Sequence, residues 1–171
     1  MELEGKRVAL LVEDMYHEHE FWIPHYRMKE AGAKVTVVGT GAKEYYSKIG
    51  LPAPGGVAAE SVSAADFDAV IIPGGFAPDR MRRNAALLKL VRDCFNQGKI
   101  VAAICHAGWV LVSAGILKGK KATCVPAIKD DVVNAGATYV DQEVVRDGNL
   151  ITSRTPDDLP AFCRAIIAAL K

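Results

Sequence analysis

Two uninterrupted apolar runs, at residues 69–72 (AVII) and 100–104 (IVAAI), constrain the fold more than any other feature of this sequence. Each run has the length of a β-strand and no polar residue that could face water, so each predicts a strand buried on both faces. Strands of this kind occur in parallel sheets that helices cover on both sides. The two runs therefore predict an α/β fold.

The remaining segments alternate between strand-like and helix-like patterns. An apolar run at 7–12, a helical pattern ending at Gly32 and a β-branched run at 34–38 together predict a βαβ unit. The other predicted elements are helices at 84–97, 107–114, 127–135 and 156–170, a strand at 120–124, and a hairpin at 144–152 with an Asp-Gly turn. Residues 39–62 are predicted to be a loop with short strands beside it, because two prolines and two glycines at 51–56 disfavour regular structure. This order predicts a doubly wound, mostly parallel sheet flanked by helices.

Length and composition predict a single domain over residues 1–171. Hydrophobic residues make up 50% of the chain and charged residues 24%, which are ordinary values for a globular domain. The net charge of +1 gives no excess field for phosphate backbones or anionic lipids, so no nucleic-acid partner is expected. The first residues are acidic where a secretory leader is basic, and no apolar run approaches the roughly 20 residues of a membrane span. We therefore expect a cytoplasmic protein without a membrane partner.

The sequence has four scattered cysteines and no Cys-x-x-Cys pair, which predicts free thiols: Cys94, Cys105, Cys124 and Cys163. Cys105 differs from the others because it joins a buried strand to a helix, with Ala103 and Ala107 as small neighbours. The sharp turn of a nucleophile elbow needs such small residues. The start of a helix also favours the thiolate, so the position predicts a lowered pKa. The alternative is a buried structural cysteine, which is what we expect of the other three.

Two glycines follow the strand at 69–72, beyond its carboxyl end, where doubly wound folds bind ligands. Gly74 and Gly75 have no side chains, so backbone N–H groups there can point at a ligand. The amides of Gly75 and His106 are candidates for an oxyanion hole. A plain turn is the alternative.

Residues 17–20 (HEHE) combine two residue types that bind zinc. Residues two apart do not share a helix face, so His17 and His19 are expected to diverge and no metal site is predicted. Glu20 precedes an apolar stretch and is the carboxylate best suited to a buried crevice, where its pKa would rise. Its protonated form could donate a hydrogen bond to a thiolate.

Three further residues fall near the predicted crevice: Tyr16, His17 and Trp109. A small crevice lined by Tyr16 and Trp109 would favour a small aldehyde. For both aromatic residues, ordinary packing is the alternative.

Five motifs stand in a fixed order along nearly the whole chain. They are Glu20 with Pro24, 73–82 (PGGFAPDRMR), 103–106 (AICH), 128–131 (IKDD) and 152–160 (TSRTPDDLP). Together they resemble the PfpI-type intracellular cysteine proteases, in the superfamily of the parkinsonism-associated protein deglycase. The resemblance implies a flavodoxin-like fold akin to class I glutamine amidotransferases.

The resemblance also implies roles for individual residues. Cys105 would be the nucleophile, Glu20 would hydrogen-bond its sulfur, and the amides of Gly75 and His106 would bind the oxyanion. In PfpI-type members an acid from a neighbouring subunit orients the histidine, and Asp79 occupies that place here. The resemblance thus implies a homodimer or homohexamer, with no cofactor and no metal.

The sequence departs from the family pattern at four places. His17 stands where a glutamate is common, and Met15 stands where glycine or glutamate is usual. Residues 107–109 (AGW) replace the usual Gly-Pro-Gln, and Val125 stands where some members have tyrosine. The substrate is expected to differ accordingly, with the core catalytic roles retained.

The leading hypothesis is a cysteine-dependent enzyme with two candidate reactions. One is hydrolysis of a peptide or amide, and the other converts methylglyoxal or glyoxal, free or on proteins, through a hemithioacetal. The alternative is a redox-sensing, chaperone-like stress protein that acts through oxidation of Cys105. A glutamine amidotransferase is disfavoured because no histidine follows His106.

Overall fold

The computed structural model describes all 171 residues and contains eleven β-strands and six α-helices. The strands are β1 (Arg7–Leu11), β2 (Lys34–Gly39), β3 (Glu44–Tyr46), β4 (Pro52–Pro54), β5 (Val57–Ala58), β6 (Ala69–Ile72), β7 (Ile100–Ile104), β8 (Lys121–Ala122), β9 (Thr138–Tyr139), β10 (Val145–Asp147) and β11 (Leu150–Ser153). The helices are α1 (Glu18–Glu30), α2 (Ala77–Met81), α3 (Ala85–Asn96), α4 (Gly108–Ala114), α5 (Lys129–Asn134) and α6 (Leu159–Leu170).

Seven strands form the central sheet, in the order β10-β11-β7-β6-β1-β2-β5. Every neighbouring pair is parallel except β10 and β11, the predicted hairpin, which is antiparallel. All residues of β6 and β7 are buried, as expected of strands covered on both faces. The predicted mostly parallel, doubly wound sheet is confirmed.

Helices cover the sheet in two pairs, α1 with α6 and α3 with α4. Helix α3 begins after Asn84, whose side chain accepts a hydrogen bond from the N–H of Leu87 at 2.9 Å. Its apolar positions, including Leu87 and Val91, are buried against the sheet. None of the six helices combines the length and the apolar character that a membrane crossing requires.

Three predicted boundaries need correction. Residues 52–54 form β4, which pairs with β3 in a two-stranded antiparallel ribbon, because proline is tolerated where no ladder N–H is required. The strand expected at 120–124 is only β8, which pairs with β9 outside the central sheet. The sequence pattern also missed helix α2, which has only five residues.

The order of the strands places a topological switch point between β1 and β6. From β1 the chain first builds β2 and β5 on one side, and then returns to build β6 and β7 on the other. The carboxyl ends of β1, β6 and β7 therefore meet around one crevice, where doubly wound folds bind ligands. The residues following these strands include Glu20, Gly74 and Cys105, the predicted site residues.

Candidate active site

Cys105 occupies a strained turn directly after β7. Its φ of 61° lies in the left-handed region, which only one other non-glycine residue of this chain, Met15, adopts. For a residue with a Cβ this conformation costs about 1–2 kcal/mol. The turn leads through a 3-10 segment, Cys105–Ala107, into α4, and Ala103 and Ala107 are both buried. This is the strand-to-helix geometry of a nucleophile elbow.

The carboxyl group of Glu20 lies next to the cysteine. Glu20 is in the first turn of α1 and is fully buried. Its Oε2 accepts a hydrogen bond from the N–H of Gly74 at 2.7 Å, while its Oε1 is buried without a hydrogen-bond partner. The negative charge of the carboxylate acts on the Cys105 thiol and raises its pKa. The oxygen Oε1 is therefore available to exchange a proton with the sulfur.

Gly74 permits this close approach. A Cβ at residue 74 would lie 2.5 Å from Oε2 of Glu20, 2.9 Å from Cβ of Cys105 and 3.0 Å from the Ile104 carbonyl oxygen. No side chain fits there without displacing the acid or the cysteine. The absence of a side chain at this position brings the two reactive groups together.

Burial raises the pKa of Glu20 from 4.5 to about 7, as the sequence predicts for a carboxylate in a buried crevice. The hydrogen bond from the Gly74 N–H and the neighbouring Cys105 thiol oppose the rise. A carboxyl group with this pKa exists in both protonation states near neutral pH, which suits proton transfer.

The expected lowering of the Cys105 pKa is wrong. Burial, followed by the Glu20 carboxylate charge, raises the pKa of the thiol to about 12, although the N–H groups of His106 and Gly75 oppose this. The effect of the Glu20 charge on the Cys105 pKa disappears when Glu20 is protonated, because the carboxyl is then uncharged and can donate to the sulfur. The two groups therefore titrate as one pair. Near pH 7 this pair holds one proton and one negative charge in about half of the molecules.

The two predicted oxyanion-hole amides belong to residues beside the cysteine. The N–H groups of Gly75 and His106 both favour the ionised form of Cys105 and so oppose the rise of its pKa. Gly75 has φ of 79°, and a Cβ there would lie 2.6 Å from the backbone of both Met15 and His17. Glycine at 75 thus keeps its amide aimed into the crevice.

The imidazole of His106 contacts the nucleophile and faces the opening of the crevice. Its Nδ1 lies 3.4 Å from Sγ of Cys105, and its ring lies 6.4 Å from Phe76 and 5.2 Å from Trp109. Burial and the positive charge of Lys48 lower the pKa of His106, so the ring is neutral near pH 7. Asp79 is exposed on α2 and is not among these contacts. The proposed pairing of His106 with Asp79 stays a prediction about a neighbouring subunit.

The three candidate pocket residues have different positions. Trp109 is half-buried beside His106, and its Nε1 donates to Asp131 at 2.9 Å. Tyr16 is fully buried and packs against Phe21, so the expectation that it lines the crevice is wrong. Its hydroxyl is used internally, donating to the Leu51 carbonyl at 2.7 Å.

His17 precedes α1 as its N-cap residue, with extended backbone. The rings of His17 and His19 are consequently only 5.6 Å apart, which corrects the prediction that they diverge. Helical spacing does not apply to a residue that lies outside the helix. Nδ1 of His17 lies 3.9 Å from Oε1 of Glu18, and burial lowers the pKa of His17.

Lys48 and Glu18 also belong to the site, and the sequence interpretation did not include them. The positive charge of Lys48 lowers the pKa values of His17, Glu20 and His106, while Glu18 raises that of Glu20. Lys48 lies within the segment predicted as a loop, 57 positions before Cys105, and no motif marked it. The other three cysteines, Cys94, Cys124 and Cys163, are buried as predicted.

Residues 6–169 match the DJ-1/PfpI family. A deglycase of Pyrococcus abyssi is 41% identical over 165 residues, which cover 96% of this chain and 99% of that protein. Protein/nucleic acid deglycase 2 of Escherichia coli is 41% identical over 169 residues, which cover 97% of this chain and 98% of that protein.

A solved structure has nearly the same fold. It is a two-domain protein of Anabaena variabilis with a DJ-1/ThiJ/PfpI-like domain and a ferritin-like domain. It matches with a TM-score of 0.95 and 45% identity, over 97% of this chain and 48% of that chain. The present chain thus spans about half the length of the two-domain protein.

Proposed function

The chain belongs to the DJ-1/PfpI family, and from this premise we propose that it is a cysteine-dependent deglycase of the PfpI type. Its substrates would be methylglyoxal, glyoxal and their adducts on protein amines and thiols. One observation carries the proposal: Gly74 holds the buried Glu20 carboxyl at 2.7 Å and brings it beside Cys105 in the strained turn after β7. An acid near pKa 7 beside a thiol and an oxyanion hole suits addition to a carbonyl.

The first step is addition of the Cys105 sulfur to the aldehyde carbon. The pair with Glu20 has already lost one proton, so the sulfur attacks as the remaining proton stays on, or passes to, the carboxyl. The carbonyl electron pair moves to oxygen, where the N–H groups of Gly75 and His106 stabilise the negative charge. Transfer of the proton from Glu20 to this oxygen gives a neutral hemithioacetal. With a glycated amine, the sulfur displaces the amine, which leaves with a proton.

The second step moves a hydrogen between the two substrate carbons. The Glu20 carboxylate removes the proton from the carbon bonded to sulfur, and the electron pair shifts to place negative charge on the second oxygen. The hydroxyl proton of the first oxygen passes to the second oxygen, and return of the removed proton to the second carbon gives a thioester with Cys105. Water hydrolyses the thioester, which releases a 2-hydroxy acid and restores the thiol. The sum is one dicarbonyl and one water to one hydroxy acid.

Amide hydrolysis could use the same nucleophile and oxyanion hole, in keeping with a protease-like activity. The 3.4 Å contact between Nδ1 of His106 and Sγ favours this second reaction, because a neutral imidazole can carry a proton to a leaving amine. We propose that Asp79 of a neighbouring subunit orients the imidazole in a homodimer or homohexamer.

A redox-sensing role is the alternative from another functional class. It is favoured by the unpartnered Oε1 of Glu20, because the protonated carboxyl could donate its O–H to an oxygen on the oxidised Cys105 sulfur. Peroxide treatment separates the two functions. A sensor changes its association with partners when Cys105 is oxidised, whereas an enzyme only loses turnover.

The test of the main proposal follows release of amine and hydroxy acid from a methylglyoxal-treated N-acetyllysine, with free methylglyoxal as a second substrate. Cys105→Ala should abolish both activities. Cys94→Ala is the matched control, because Cys94 is equally buried but lies on α3, away from the crevice. Wild-type activity that equals that of Cys105→Ala would overturn the proposal.

The remaining features complete the proposed description. We propose one PfpI-type domain over residues 1–171, a cytoplasmic location and no cofactor. The small net charge argues against a nucleic-acid partner. Since the E. coli relative is named for nucleic acids as well as proteins, a methylglyoxal-treated guanosine belongs among the assayed substrates.

A further inference from the structure

The turn that carries Lys48 is fixed rigidly beside the active site. The N–H of Lys48 donates to the Tyr16 carbonyl at 3.0 Å, and the Tyr16 hydroxyl donates to the Leu51 carbonyl at 2.7 Å. The hydroxyl of Ser47, a buried residue, accepts hydrogen bonds from two N–H groups of the same turn. Tyr16 in turn forms a bridge with Gly75 of the oxyanion hole. The backbone of Lys48 is therefore held in place by the same segment that positions Gly75.

The side chain of Lys48 extends over the opening of the crevice. Its Nζ lies 5.1 Å from the centre of the Phe76 ring, and that ring lies 6.4 Å from the ring of His106. None of the ion pairs in the chain includes Lys48. An ammonium group without a carboxylate partner is free to bind a ligand oxygen, since all three of its N–H bonds are available.

The positive charge of this side chain acts on groups from three elements around the crevice. It lowers the pKa values of His17 before α1, of Glu20 within α1 and of His106 after β7. The other charges near the nucleophile, on Glu18 and Glu20, are negative. The positive charge of Lys48 therefore acts on a crevice whose own acids, Glu18 and Glu20, are negatively charged.

The proposed deglycase reaction needs a donor that the oxyanion hole does not supply. Methylglyoxal and glyoxal have two adjacent carbonyl oxygens. The N–H groups of Gly75 and His106 can bind the oxygen on the carbon that Cys105 attacks. Negative charge then moves to the second oxygen, one carbon further from the sulfur, when Glu20 removes the proton. That oxygen requires a donor on the outer side of the crevice.

We propose that the Lys48 ammonium binds this second oxygen and so makes the site selective for substrates with two adjacent carbonyl groups. The inference rests on the proposed function and assigns to it a substrate class and a catalytic residue. An ammonium stabilises an enediolate oxygen more strongly than a ketone oxygen, because the negative charge is fully developed there. Lys48 should accordingly act on turnover more than on substrate binding. A substrate with one carbonyl has no second oxygen for Lys48 to bind, so Lys48 affects it only through the pKa values of Glu20 and His106.

The test compares two substrates in four proteins: the wild type, Lys48→Met, Lys48→Arg and Lys43→Met. Methylglyoxal has two adjacent carbonyls, whereas p-nitrophenyl acetate has one and acylates the same sulfur. Lys43 is an exposed lysine on the neighbouring ribbon and serves as the matched control. Thermal unfolding of each variant monitors the fold.

Lys48→Met should lower kcat for methylglyoxal about 10- to 100-fold, the effect of removing one charged hydrogen bond from a transition state, with little change in KM. At pH 8, above the pKa of Glu20, it should lower p-nitrophenyl acetate hydrolysis by no more than about threefold, through the pKa values of the site residues alone. Lys48→Arg should restore most methylglyoxal turnover, and Lys43→Met should resemble the wild type. Equal losses on both substrates, or unchanged methylglyoxal turnover in Lys48→Met, would overturn the role of Lys48 alone. Failure of the wild type to consume methylglyoxal would overturn the proposed function, and this inference with it.

Discussion

Replacing Glu20 with glutamine tests whether the acid and Cys105 act as one titrating pair. Glutamine has the same shape, and its side-chain carbonyl can still accept the Gly74 N–H hydrogen bond, which is 2.7 Å long in the wild type. The substitution removes only the carboxylate charge and the exchangeable proton. A change in the reactivity of Cys105 therefore reports on proton sharing rather than on packing.

The size of the expected change follows from the pKa values. In the wild type, the pKa of about 7 for Glu20 means that about half of the pairs have lost one proton at pH 7. In Glu20→Gln the thiol must ionise alone. Burial, the largest cause of its raised pKa, remains and keeps that pKa above the ordinary 9.0. At most about 1% of the thiol is then ionised at pH 7, and no carboxylate remains to accept its proton during attack, so we expect a loss of reactivity of about 100-fold, the lower end of what a positioned general base contributes.

The assay measures the rate of iodoacetamide alkylation at each cysteine against pH, by mass spectrometry of the native protein. Wild-type Cys105 should show an inflection near pH 7, and Glu20→Gln should lack it. Cys94 and Cys163 are internal references, because burial raises the pKa of each to about 11. Glu18→Gln is the matched control, since Glu18 raises the pKa of Glu20. In that variant the inflection should persist and move to lower pH.

Two results would refute the pairing. If Cys105 in Glu20→Gln keeps the wild-type rate and the inflection near pH 7, the titrating group is not Glu20. If wild-type Cys105 reacts as slowly as Cys94 and Cys163 at every pH, the turn after β7 is only a feature of the fold. The proposal of a cysteine-dependent enzyme would then fall with it.

Further predictions concern stability and assembly. The pKa of Glu20 is about 7 in the folded protein and 4.5 in the unfolded chain, so the free energy of unfolding should fall by about 3 kcal/mol as the pH rises from about 4.5 to 7. Chemical denaturation at several pH values should show this fall in the wild type and not in Glu20→Gln. Gly74→Ala, whose Cβ would lie 2.5 Å from Oε2 of Glu20, should cost about 1–3 kcal/mol of stability and remove activity. Cys105→Gly should be about 1 kcal/mol more stable than Cys105→Ala in thermal unfolding, because the φ of 61° strains alanine and not glycine. If Asp79 of one subunit orients His106 of another, mixed oligomers of Asp79→Asn and Cys105→Ala chains should contain some intact sites and regain activity that neither variant has alone. No regain of activity in mixed oligomers would exclude that role.

The sheet could be predicted from the sequence because a strand that is buried on both faces contains only apolar residues. The runs at 69–72 and 100–104 have no polar residue, and both are central strands. The elbow was predictable for a similar reason, since the close approach of backbone at Cys105 excludes large neighbours and Ala103 and Ala107 satisfy that restriction. Local sterics of this kind act between residues that are adjacent in sequence.

The rest of the site depends on contacts between distant segments. Gly74 and Glu20 are 54 positions apart, and their hydrogen bond places the acid beside the thiol. The helix start at Cys105 predicted a lowered thiol pKa, but burial and the Glu20 charge, which only the tertiary structure determines, outweigh the local dipole. The sequence locates only the backbone of Tyr16 near the crevice. The side chain is fully buried in the core, which the sequence pattern does not reveal.

The ionised site is a Cys105–Glu20 pair that shares one proton, rather than a free thiolate. A permanently ionised cysteine would react with any oxidant or electrophile that entered the crevice. The buried Cys105–Glu20 pair instead carries a single negative charge, and the proton on the pair can move as a carbonyl approaches. In the proposed reaction, the amides of Gly75 and His106 would stabilise charge on the oxygen at the attacked carbon, and Lys48 would stabilise it on the oxygen one carbon further out. Selectivity for adjacent carbonyl groups would then come from having one donor site for each of the two substrate oxygens. Without such a substrate, Cys105 would keep its proton and react slowly with oxidants and other electrophiles.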